Sequence, residues 1–141
     1  MRFSLSTAAL CLLLAASAAL GQAPCGYVSV SNKPPVAKDV YPVTLRQIDG
    51  APPRQLEGRI KLAAGMHKIV VQQNIAGESR GRSQLKKMAV SDQPLANKEI
   101  DVDVQADGHY MIAARLLVDA RGAQSDYWEP VVWRKLLESC E

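Results

Sequence analysis

The chain has 141 residues, 17 Lys and Arg against 14 Asp and Glu, a formal charge of +3 and three cysteines. That length suits one domain and leaves no room for a (β/α)₈ barrel or for most multidomain enzymes. The near-neutral balance argues against a nucleic-acid binder.

Residues 5–20 (LSTAALCLLLAASAAL) carry no charge, follow Arg2 and lead into the small-residue stretch Ala-Leu-Gly-Gln-Ala. This is the n-region, h-region and cleavage zone of a secretory signal peptide. The run is slightly short of the roughly 20 residues of a membrane span, and no later stretch matches it, so no transmembrane segment is expected after cleavage. Cleavage after Gly21 takes 21 residues from 141 and leaves 120 as a single domain, residues 22–141, in the periplasm or outside the cell. Loss of Arg2 lowers the charge from +3 to +2. Cys11 leaves with the leader, and Cys25 and Cys140 remain near the two ends. An even pair in an exported chain reads as a disulfide, with free thiols or an interchain bond as the rivals. If intramolecular, it places the first and last elements side by side.

The remaining chain reads as about seven short strands. Residues 27–31 (YVSVS) alternate and end at Asn32-Lys33-Pro34-Pro35. Residues 40–48 (VYPVTLRQI) form a second candidate, with Pro42 marking an edge or bulge because proline cannot donate to a ladder. Asp49-Gly50 and Pro52-Pro53 make a turn and loop. Residues 58–62 and 66–73, joined by Ala63-Ala64-Gly65, read as a β-hairpin. The polar stretch 74–94 is long for a structureless loop, so either it is mobile or its 83–90 portion forms an added strand or short helix. Residues 98–105 (KEIDVDVQ) alternate cleanly, Asp107-Gly108 is a turn signal, and residues 109–119 and 128–137 follow as strands. The fold expected is all-β, a single antiparallel β-sandwich, immunoglobulin-like or related. An α+β domain with a C-terminal helix is the competitor.

A resemblance follows from Ile48-Asp49-Gly50 and from Gly58-x-Ile60-x-Leu62-x-x-Gly65-x-His67-x-Ile69-x-Val71. The pattern resembles the hairpin of PEGA-type envelope modules. It is also similar to small exported bacterial β-domain proteins with a Leu-x-x-Gly-x-His signature, in which a later Gly-x-Tyr matches Gly108-His109-Tyr110. The Pro-Glu-Gly-Ala stretch itself is absent. The resemblance covers about residues 48–71 and 108–118 and implies an immunoglobulin-like or related sandwich in the cell envelope, and it implies no catalytic residues.

Candidate chemistry is sparse. Gly77-Glu78-Ser79-Arg80-Gly81 matches the nucleophile elbow Gly-x-Ser-x-Gly, with Asp101 or Asp103 and His109 following in hydrolase order. The elbow needs a parallel sheet flanked by helices, so a serine hydrolase at Ser79 is the weakest reading. His67 and His109 each follow a glycine turn and could share a rim with Asp101 or Asp107. They lack metal-ligand spacing, so no metal and no cofactor is expected. Asp101 and Asp103 read as a solvated strand face. Arg80, Arg82, Lys86 and Lys87 form the one basic cluster, suited to anionic polymer or lipid headgroups. Tyr127 and Trp128 are either core or an aromatic recognition surface. The sequence therefore points to a non-catalytic exported envelope domain with a structural or binding role toward an envelope protein or an anionic polymer.

Overall fold

The computed structural model describes residues 21–30, 33–90, 97–120 and 126–141. The leader, all but Gly21, and the Arg121-Gly122 turn lie outside the described residues, as do Ser31 and Asn32 at the end of the first strand candidate and positions 91–94 of the polar stretch. The described chain is predominantly β, in two sheets, with one α-helix. The strands are β1 Cys25–Ser29, β2 Val40–Tyr41, β3 Val43–Ile48, β4 Ile60–Ala63, β5 Gly65–Gln73, β6 Asn97–Val104, β7 Gly108–Leu116 and β8 Trp128–Leu137. The helix, α1, spans Ser79–Lys87.

β7 organises the first sheet. β8 runs antiparallel to it from Gly108 to Leu116, so β1 and β2 share its other side, at 109–111 and 114–115 respectively. β4 adds to the far side of β1. The second sheet has the order β3-β5-β6, antiparallel throughout. Alternate residues of both sheets meet in one core, with Val28, Tyr41 and Ile112 from the first and Leu45, Ile69 and Val102 from the second. β6 carries Val102 and Val104 inward and Glu99, Asp101 and Asp103 outward, the alternation its sequence shows.

Four sequence expectations need correction. The first sheet is mixed, because β1 and β7 are parallel. Parallel neighbours need a crossover, and the chain supplies it by passing through the second sheet between them. The strand expected over 40–48 is two strands. Val40 and Tyr41 pair with Arg115 and Ala114, whereas Val43 onward pairs with β5. Pro42 sits at the break, where a residue without an N–H ends one ladder as the chain moves to the other sheet. Among the described residues the strand count is therefore eight. The hairpin expected over 58–73 does not form either. β4 joins β1, while β5 lies between β3 and β6. The chain changes sheet at Ala64, whose N–H donates to the Pro24 carbonyl at 2.9 Å, and at Gly65, whose φ of +132° few side chains tolerate.

Within the polar stretch, the short-helix alternative is the one that forms, and it starts earlier than position 83, at Ser79. Leu85 and Met88 plug it into the core. Buried Gln73 ends β5, accepting from Ile75 N–H at 2.6 Å and donating to Tyr127 Oη at 2.8 Å.

Cys25 and Cys140 are joined, with Cα atoms 5.7 Å apart. The C-terminal residues are clasped around this bond. Asp107 accepts from Cys140 N–H at 2.9 Å through its side chain and from Glu138 N–H at 2.8 Å through its carbonyl. Lys61 donates to the Glu141 carbonyl at 2.8 Å, and Arg59 pairs with Glu138.

Candidate functional site

The residues of the hydrolase pattern are not brought together. Ser79 is exposed at the start of α1, and its two glycines have packing reasons. A Cβ on Gly81 would collide with the Ile75 carbonyl, and one on Gly77 would lie 2.6 Å from Asn74 Oδ1. The pattern is therefore a close approach of α1 to the preceding turn.

The two histidines are engaged separately. His67 Nδ1 lies 2.6 Å from Asp49 Oδ2, and its Nε2 lies 2.7 Å from the Ala63 carbonyl. Burial alone lowers its pKa. The bonds to Asp49 and Ala63 and the Asp49 charge outweigh burial, and His67 lies above its ordinary value. Asp49 is held below the ordinary carboxylate value by its bond to His67 and by Lys68 N–H. Among the described residues no group of three His, Cys, Asp or Glu is placed to hold a metal ion.

His109 has the partners that sequence reasoning missed. Its Nε2 lies 2.8 Å from Ser29 Oγ and its Nδ1 2.7 Å from Glu138 Oε2, with the Tyr27 ring edge-on at 6.1 Å. The order Ser29, His109, Glu138 has the connectivity of a catalytic triad. Burial first, and the Arg59 charge second, hold His109 below its ordinary pKa. Arg59 also shares Glu138, so the carboxylate is already answered by a cation. A neutral imidazole then donates from Nδ1 and accepts the Ser29 hydroxyl proton at Nε2. Ser29 is only 1% and His109 4% exposed, so the hydroxyl and the imidazole are closed to solvent in this structure. The network joins β1, β7 and the C-terminal residues. Period-two alternation puts Ser29 and His109 on the face opposite Val28 and Tyr110, but no sequence spacing reveals that the two meet.

The basic cluster lies on the solvent side of α1, opposite Gly81, Leu85 and Met88. Arg80 pairs with Asp39 at 3.5 Å, and Arg82 donates to the Ala76 carbonyl at 2.9 Å. Lys86 and Lys87 lie in the last turn, where cations complement the helix dipole. Tyr127 and Trp128 are 7% and 1% exposed and belong to the core. This corrects the alternative that made them an aromatic recognition surface. Both backbones are tied in too, since Leu117 N–H donates to the Tyr127 carbonyl and Lys98 to the Trp128 carbonyl, and the Lys98 ammonium lies 5.2 Å from the Trp128 ring centroid.

An open cleft of about 580 Å³ lies beside the start of β3. Val30, Pro34, Val36, Pro42, Val43 and Leu56 give it apolar walls, and Lys33, Thr44, Glu57 and Glu78 add polar groups. Local turn chemistry explains why it exists. Ile48 and Ala51 exchange two backbone hydrogen bonds around Asp49-Gly50, both of which have positive φ, the geometry of a tight two-residue hairpin turn. Beyond Ala51 the returning chain makes no further ladder with β3. Leu56 and Glu57 therefore stand off from β3 across the cleft. In the sequence Pro34, Pro35, Pro52 and Pro53 signal turns and Pro42 an edge or bulge, and Pro34 and Pro42 line this feature.

No family model, curated protein or solved structure matches this chain.

Proposed function

We propose that the protein is a non-catalytic, exported cell-envelope module with an immunoglobulin-like sandwich fold, whose task is to bind a partner through the cleft beside β3. The cleft itself carries this reading. It combines six apolar side chains with two carboxylates that have no ion pair among the described residues. Binding sites are concave and mostly apolar with a few orienting polar groups, and this cleft has that composition. The paired cysteines and the leader-like N-terminus support an oxidising compartment outside the cytoplasm.

A photo-crosslinking side chain placed at Leu56, with one at Met66 as control, tests the reading in living cells. Both positions are well exposed, at 56% and 66%. A discrete adduct at position 56, lost in Glu57→Lys/Glu78→Lys and absent at position 66, is the expected result. Identical patterns at the two positions would overturn the reading. Osmotic-shock release of a chain lacking residues 1–21 checks export.

A second reading rests on Lys86 and Lys87, which have no ion pair among the described residues, whereas Arg80 and Arg82 are already engaged. These lysines suit attachment to an anionic lipid or polymer surface. Salt-sensitive cosedimentation with anionic vesicles, abolished in Lys86→Gln/Lys87→Gln, is the outcome that supports it.

A further inference from the structure

Among the described residues β3 is the terminal strand of its sheet and pairs with β5 alone. Unpaired strand edges recruit other strands, and proteins normally blunt them with bulges or cover them. Here the blunting is confined to one half. The register with β5 shifts between Leu45 and Gln47, a bulge at Arg46, and Ile48 is closed off by its bridge to Ala51. The other half begins at Pro42, whose carbonyl accepts from Asn74 N–H on the β5 side at 2.9 Å. Strand alternation then turns the N–H and C=O of Val43 away from β5, toward the open edge. Val43 and Thr44 are also the β3 residues that line the cleft. The unguarded half of the edge and the cleft thus coincide.

We infer that this edge is a strand-addition site for an extended peptide of alternating apolar and basic residues. The inference rests on the cleft being the binding site and names the class of its partner. Backbone hydrogen bonds to an added strand supply sequence-independent affinity, and pockets for alternate side chains supply selectivity. The period of two sends one set of side chains against Val30, Pro34 and Leu56. It sends the other set to the rim, where Glu57 and Glu78 outnumber Lys33 and leave a net negative charge. A basic side chain answers that charge, and an acidic one is repelled.

The test uses the whole exported domain and three synthetic hexapeptides, followed by amide chemical shifts. The first peptide alternates Lys and Val, the second alternates Glu and Val, and the third is the Lys-Val peptide with alternate amides N-methylated. The Lys-Val peptide is expected to shift the resonances of Val43, Thr44, Leu56 and Glu57 and to bind at least about tenfold more tightly than the other two, the order of one lost anchoring interaction. Glu57→Lys/Glu78→Lys, both at surface positions, is expected to reverse the charge preference. Equal binding of the N-methylated peptide would overturn strand addition, and equal binding of the Glu-Val peptide would overturn the basic partner. If the Lys-Val peptide leaves the spectra unchanged while the position-56 crosslink forms in cells, the partner class is wrong and the cleft remains the site. If both fail, both readings fall.

Discussion

His67 and His109 respond to acid in opposite senses. The folded-state pKa of His67 lies above its ordinary value of 6.5, so its stabilisation is complete below that pH and is lost as pH rises through the folded value. Its partner Asp49 is lowered from 3.8, so its contribution is present above that value and is lost as pH falls through the folded value. The pair therefore holds the Asp49-Gly50 turn best in mildly acidic solution. His109 is lowered, so its contribution is present above 6.5 and fades as pH falls. His67→Gln is expected to cost more stability at about pH 5.5 than at about pH 8, and His109→Gln the reverse, in denaturant midpoints across that range. Ser29→Ala strips His109 Nε2 of a buried partner and is expected to cost about 1–3 kcal/mol. A serine-directed fluorophosphonate should leave the folded wild-type protein unlabelled. Labelling that disappears in Ser29→Ala would make the network catalytic after all.

At the scale of elements, the sequence is legible where one face is buried and the other is wet. β6 shows this in its Ile-Asp-Val-Asp-Val alternation, and β8 occupies the residues expected of it, 128–137. Alternation of period two is blind to which sheet a strand joins. The expected hairpin over 58–73 fails for that reason, since Ile60 and Leu62 alternate identically whether they face β5 or β1. Pro42 is legible as an interruption, but its consequence, a change of sheet, depends on where β7 lies. The cleft is illegible for a related reason, because it arises where the chain past Ala51 leaves the outer edge of β3 without a further ladder. The Gly-x-Ser-x-Gly pattern misleads because its glycines answer to sterics. Gly81→Ala forces α1 away from Ile75 and is expected to cost about 1–3 kcal/mol, as overpacking does. Ser79→Ala, on the exposed start of the same helix, should change stability by less than about 0.5 kcal/mol. Thermal melts of the two variants make the comparison.

For the whole molecule, the bond between Cys25 and Cys140 closes a loop across 115 positions. Chain-entropy arguments put the stabilisation from a loop near that size at about 4–5 kcal/mol, with native contacts at the clasp unchanged. Cys25→Ser/Cys140→Ser is expected to lower the unfolding free energy by up to about that amount while keeping the two-sheet fold, seen in far-ultraviolet circular dichroism. A shift in gel mobility between reduced and oxidised wild type checks the bond itself.

The same bond sets how the domain behaves under tension. Its two cysteines flank nearly every described strand and sit 5.7 Å apart at the Cα atoms. A pull applied through the segments outside them is carried by the covalent S–S link and bypasses the sheet ladders. In the oxidised state the domain is an almost inextensible node, and stretching it in an optical trap should give no unfolding step. Adding reductant should bring the step back, as the load passes to the hydrogen bonds between β1, β4 and β7.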